Sequence, residues 1–241
     1  MLVSMALGMG IFALAATSAN AGTAAGSGIY NTGHDFSSVT TRTGMAGYGV
    51  DTAGDGDRIC IFCHAPHNAI KPSDAAAKGV AYLPLWNHDI TDGGTGGIND
   101  YALYSAGSPP TSGDHALQAS LVGNIGQPTS TSRLCLSCHD GSVAINAYSG
   151  ATGAGTAISG TSQYAIGANL DLSNHHPIGF DYTAVQASAT NGDSEIANTT
   201  KIMVGTAKIG DLLTNNIMTC ATCHDVHNTQ NTGAKFVWTS N

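Results

Sequence analysis

Charge is scarce in this chain. Lys, Arg, Asp and Glu make up 10% of its 241 residues, against about 25% in an ordinary globular domain. Aromatic residues are 6%, so few large side chains are on hand to build a core. Gly, Ala, Ser, Thr and Asn fill most of the remaining length, and side-chain burial alone would struggle to offset the backbone entropy of such a chain. Basic residues are the scarcest of all: 8 Lys and Arg against 16 Asp and Glu give a formal net charge of −8, which argues against nucleic-acid binding. An apolar run of the ~20 residues a membrane span needs is also missing. The nearest candidate, Met5 to Ala16, is shorter and is followed by Ala19-Asn20-Ala21, an A-x-A cleavage signature. Residues 1–21 are therefore expected to be a secretory signal peptide cut after Ala21, and no transmembrane span is expected. No Lys or Arg precedes the run, which points to a natural start upstream of Met1.

Cysteine occurs in three short stretches only: Cys60-Ile-Phe-Cys63-His64, Cys135-Leu-Ser-Cys138-His139 and Cys220-Ala-Thr-Cys223-His224. Each pair is followed at once by a histidine. C-x-x-C-H is the attachment pattern of c-type haem (heme c). Two thiols three apart share one face of a helical turn and form thioethers with the two vinyl groups on one porphyrin edge, and the adjacent histidine reaches the iron as proximal ligand. A zinc ribbon would place its second C-x-x-C about 15–20 residues after the first, whereas these motifs stand more than seventy residues apart. A thioredoxin-like site would need a βαβ context. Disulfides would not place a histidine after every second cysteine. Three covalently attached haems are expected, and they would supply the apolar bulk that the composition lacks. Secretion agrees with this, since thioether attachment takes place outside the bacterial cytoplasm.

The expected fold is mostly irregular and organised by haem, with short helices at the motifs, few short strands and little regular secondary structure. Residues 22–241 read as a single domain, with 22–57 an extended N-terminal arm rich in Gly, Ser and Thr. The first motif should sit on a helical turn over 57–68 stopped by Pro66, followed by a wrapping loop through Pro72, Pro84 and Trp86. Residues 91–114 read as loop, His115 to Ile125 as a helix capped by Asp114, and the second motif as a helix from about Ser132 stopped by Gly141. A hairpin is expected within 149–169, a turn at Asn174-His175-His176-Pro177, a strand over 201–206, and a helix from Asp211 to His224.

Seven of the ten histidines lie outside the motifs. The mature region offers no methionine in comparable placement, so bis-histidine ligation and correspondingly low potentials are expected. His67 and His227 each follow a motif histidine by three residues, in C-H-x-x-H-N. Three residues reach at most about 10 Å and cannot straddle a porphyrin whose near face already holds the first histidine. If either binds iron, it binds a different haem from its neighbour's. His176 and His34 complete the candidate distal set, His176 ahead of His175. His88 and His115 read as surface or propionate-contacting groups.

The stretches ICIFCHAPHN at 59–68, PLWNH at 84–88, LCLSCHDGSVA at 134–144, DLSNHHPIGF at 171–180 and TCATCHDVHN at 219–228, with His34 in His-Asp-Phe-Ser-Ser, resemble the multihaem c-type cytochromes of metal-reducing bacteria. The resemblance implies distal ligation by His34, His67, His176 and His227. It implies electron transfer rather than catalysis, with other cytochromes, copies of itself, or a mineral or electrode surface as partners. The expected location is secreted, at the cell surface or beyond, with a discrete periplasmic carrier as the alternative and a reductase behind both. Some relatives polymerise into extracellular filaments in which one subunit's histidine ligates a haem of the next. Many relatives continue past a segment like Lys235 to Asn241 into a fourth C-x-x-C-H, so a fourth haem is expected if this chain is a fragment.

Overall fold

The computed structural model describes residues 29, 34–36, 59–80, 85–90, 101–104, 125–151, 157–187 and 196–227. The expected N-terminal arm is described only at residues 29 and 34–36, and the helix expected from His115 lies outside the described residues apart from Ile125. Among the described residues, regular structure is sparse. In chain order it comprises a 3-10 turn at Ile59–Phe62, helix α1 (Pro72–Ala77), helix α2 (Thr131–His139), a 3-10 turn at Ala168–Leu170, helix α3 (Tyr182–Ala187), the antiparallel strands β1 (Ile202–Val204) and β2 (Ala207–Lys208), helix α4 (Ile209–Leu212) and helix α5 (Cys220–Cys223). Among the described residues, no helix is long and apolar enough to cross a membrane.

The longest of these, α2, carries the second motif and ends as its sequence dictates. Asp140 is its C-cap, and Gly141 follows with φ +76°, the left-handed position glycine fills most cheaply. A side chain there would also overlap the Ile158 carbonyl.

Two expectations need correction. The stretch around Pro72 is helix α1 and not only loop: Pro72 occupies the first helical position, where its missing N–H costs nothing, and three alanines follow. Asp211 to His224 is not one helix. Thr214 and Ile217 exchange N–H···O bonds of 3.1 and 2.9 Å around Asn215 and Asn216, whose φ values are 51° and 66°. That is the pattern of a type I′ turn, for which Asn is well suited, and it separates α4 from α5. The strand expected over 201–206 is the first arm of a small hairpin with β2, while the described part of 149–169 contains no strand.

Apolar burial among the described residues is divided into four clusters. Phe180, Tyr182, Val185 and Ile209 form one; Phe36, Phe62, Ile145 and Ile158 a second, against which Cys63 and Cys138 pack. Ala75, Val80, Ile90 and Leu134 form the third. Tyr101, Leu136, Leu172 and Ile178 form the fourth, with Cys220 against it. Two of the four thus rest on motif cysteines.

Candidate cofactor site

The three motifs sit on short turns whose backbone is tied to distant segments. At the first, His64 N–H donates to the Cys60 carbonyl at 2.8 Å, closing one helical turn. Residues 85–90 lie across this turn as a strap. Ala65 N–H donates to the Leu85 carbonyl at 3.0 Å and Asn87 N–H to the Cys63 carbonyl at 2.9 Å. The Asn87 side-chain amide donates to the Ile61 carbonyl at 2.9 Å. The other edge of the strap reaches the loop after the second motif, where Asp89 N–H meets the Ala147 carbonyl at 2.9 Å and Ser149 N–H the Asn87 carbonyl at 3.1 Å. Trp86 stands edge-on to the His64 ring, centroids 5.5 Å apart.

At the second motif, the His139 ring is fixed by its Nδ1, 2.7 Å from the Tyr164 carbonyl. A carbonyl only accepts, so Nδ1 carries the proton and Nε2 keeps its lone pair. This is the orientation in which a metal-ligating imidazole is usually held. At the third motif, Thr219 N–H donates to Thr222 Oγ1 at 2.9 Å and His224 N–H to the Cys220 carbonyl at 2.9 Å.

Each motif histidine faces one other histidine ring. His64 stands 6.3 Å from His227, centroid to centroid, with ring planes at 32°. His224 stands 6.3 Å from His176 at 19°. His139 stands 5.9 Å from His34 at 52°. An imidazole nitrogen bonds a transition metal at about 2 Å and the ring centre lies about 1 Å further, so two imidazoles on opposite sides of one metal have centres about 6 Å apart. The three pairs fit that separation. Among the described residues no group of three or more His, Cys, Asp and Glu gathers as a metal site; these histidines come in twos. The six cysteines are free thiols, as thioether attachment requires.

The pairing separates the distal candidates. His227 lies against His64 of the first motif. His34 is presented by the His34-Asp35-Phe36 segment, folded back onto the rest of the chain. The Phe36 ring is T-stacked on Phe62 at 5.5 Å, and Phe62 on Tyr148 at 5.0 Å, so a residue inside the first motif anchors the ligand candidate for the second. Burial, with His139 and His227 nearby, pulls the His34 imidazole down to about 4, which keeps it in the neutral form that binds metals. Of the two adjacent histidines, His176 meets His224, while His175 Nε2 accepts the Gly167 N–H at 3.1 Å. His67 is exposed and stands in none of the three pairs. His88, expected as a surface or propionate-contacting group, is 2% exposed, so the surface alternative does not hold. Its Nδ1 lies 2.8 Å from the Asp89 carbonyl, and its Nε2 lies 3.2 Å from the Ala144 carbonyl and 3.5 Å from Cys138 Sγ. The strap's bonds on both sides carry this ring inward. His115 lies outside the described residues.

The cysteines of different motifs also meet. The Cys135 and Cys220 thiols are in hydrogen-bonding contact, which holds the Cys220 thiol down to about 7 and pushes Cys135 up. Burial pushes Cys63 up to about 12, with Cys60 adding to the effect; burial, then the nearby Cys63 and Asp140, push Cys138 up as well.

The sequence reading missed the hydroxyls that join α2 to α5. Thr131 Oγ1 donates to Thr219 Oγ1 at 3.1 Å, and the Cys220 N–H donates to Ser132 Oγ at 3.1 Å. The visible signal was a Ser or Thr shortly before the first cysteine of each of these motifs. It also missed the fully buried Arg133, whose guanidinium lies 5.7 Å over the Tyr101 ring, with the Tyr101 hydroxyl bonded to Asp140. A scan against protein-family models and a search of curated proteins find no match to this chain.

Proposed function

We propose that this chain is a secreted electron-transfer protein carrying three c-type haems, each held by two histidines. The observation that carries this reading is the pairing of every C-x-x-C-H histidine with a non-motif histidine at 5.9–6.3 Å. Cys60 and Cys63 with His64 and His227 would hold the first haem, Cys135 and Cys138 with His139 and His34 the second, and Cys220 and Cys223 with His224 and His176 the third. Haem so held would supply one-electron ferrous–ferric chemistry. The chain's own residues would then set the relative positions of the three sites. His224 and His227, three residues apart, tie the third site to the first, and Phe62 and Phe36 tie the first motif to the ligand arm of the second.

With a histidine pair at each site, a bound haem iron would keep no position for a substrate, which favours a conduit over a reductase. The scarcity of Lys and Arg favours a partner other than an acidic protein surface. A second reading, assembly of copies into a filament, is favoured by one observation. The fourth candidate ligand, His67, is exposed and outside the three pairs, where it would be available to a haem of a neighbouring copy. Native mass of the secreted protein, with carbon monoxide added to its reduced form, tests the main reading. Three haems and no rapid carbon monoxide binding are expected; rapid binding at every haem would refute it.

A further inference from the structure

The hydroxyls between the second and third motifs have no place in haem attachment or ligation. They lie at one junction, where α2 and α5 begin side by side. Thr131 Oγ1 bonds Thr219 Oγ1 at 3.1 Å, and Ser132 Oγ takes the Cys220 N–H at 3.1 Å. Thr219 is 2% and Ser132 1% exposed, so water does not compete for these bonds. One turn further along α2, Cys135 meets Cys220 sulfur to sulfur. At the other end of the same motif, Cys138 shares the Phe36, Phe62, Ile145 and Ile158 cluster with Cys63 of the first motif. Cys63 of the first motif lies near both sulfurs of the middle motif, but of the two only Cys135 is in contact with Cys220 of the third.

Resting on the function proposed above, we propose that Thr131, Ser132 and Thr219 are positioning residues that hold the Cys135 and Cys220 sulfurs together, and with them the edges of the two haems those sulfurs would carry, so that the second site is the middle of the array. Its Cys138 edge faces the first site and its Cys135 edge the third. With haem attached, Cys135 and Cys220 would hold two porphyrin edges side by side, and an electron leaving one ferrous iron would reduce the neighbouring ferric iron with no bond made or broken.

The experiment uses the full haem-loaded chain and the variant Thr131→Val with Ser132→Ala, which removes both bonds and leaves Thr219 and Thr222 in place. Native mass counts the haems, circular dichroism in the Soret region reads their mutual contact, and exchange NMR of partly reduced samples reads electron exchange between assigned pairs. In the parent, exchange between the second and third haems should be faster than between the first and third. The variant should keep three low-spin haems, lose amplitude in the Soret couplet, and lose exchange between the second and third haems while keeping it between the first and second. A three-haem variant with unchanged couplet and exchange overturns the proposal. So does a parent in which the first and third haems exchange faster, a comparison that decides the matter even if the variant does not fold. A parent without attached haem overturns the proposed function itself, and native mass distinguishes that outcome from the others.

Discussion

His227→Ala gives the most discriminating test of the ligand pairing, because sequence proximity and spatial pairing point to different irons. His227 belongs by sequence to the third motif, three residues after His224, yet its ring stands 6.3 Å from His64 of the first. The side chain is 63% exposed, and its Nδ1 stands 3.5 Å from Asp225 Oδ1, a solvent-screened contact of little energetic weight. The backbone bond from His227 N–H to Asp225 Oδ1 at 2.9 Å survives the substitution. Truncation should therefore change the packing contribution to folding by no more than about 0.5 kcal/mol, and any larger effect reports the lost iron bond. One haem in three should become five-coordinate and high-spin, and the reduced variant should bind one carbon monoxide per chain. Its location is read by adding Cys60→Ala and Cys63→Ala: the carbon-monoxide-binding haem should then disappear. Persistence of that haem, placing the open iron at Cys220 and Cys223, would refute the reach argument, and no carbon monoxide binding by His227→Ala would refute the pairing.

Further outcomes follow from other parts of the structure. His67→Ala should leave three low-spin haems in each isolated chain and abolish assembly of copies, measured by sedimentation and electron microscopy; filaments formed by the variant would remove the basis of that reading. Gly141→Ala should lower stability by about 1–3 kcal/mol, because Gly141 has φ +76° and the new methyl meets the Ile158 carbonyl; a thermal melt of the loaded protein reads this. Replacing all six cysteines with alanine should remove most of the far-UV circular dichroism and sharp NMR dispersion, since haem would be the missing core. Acid should weaken the docking of the His34 segment. Its imidazole is held at about 4 against an ordinary 6.5, so between these values the unfolded chain binds the proton that the folded chain refuses, and stability falls as pH drops from about 6.5 to about 4. Urea titrations across that range should show the slope, and His34→Ala should lessen it.

The three C-x-x-C-H stretches were legible because each is contiguous in the chain, and the proposed attachment of haem rests on that contiguity. The distal partners were legible as candidates only. His227 could be excluded from its neighbour's iron by chain length alone, but nothing in the sequence states that the first motif lies against it. The helix expected through Asn215 and Asn216 failed because polar residues in a helical pattern can equally supply two left-handed positions, and the bonded pair Thr214 and Ile217 decided for the turn. Pro72 was read as an interruption where it begins a helix. His88, a lone polar residue by pattern, reads as a surface or propionate-contacting group, although Trp86 and Ile90 flank it. Its burial follows from a strap bonded on both edges, to segments 26 and 62 residues away, a relation no local pattern encodes.

The division of apolar burial into four clusters has a thermodynamic consequence. Cooperative melting arises when loss of any part of one shared interior exposes the rest. Here Val185 and Ile209 belong to one cluster and Phe36 and Phe62 to another, so exposing either set leaves the other dry. With the haems bound, heat absorption should come as one narrow peak whose calorimetric and van't Hoff enthalpies agree. Where one haem site is emptied, the clusters resting on its cysteines should melt first and separately, giving a split peak whose early component identifies the site that was lost.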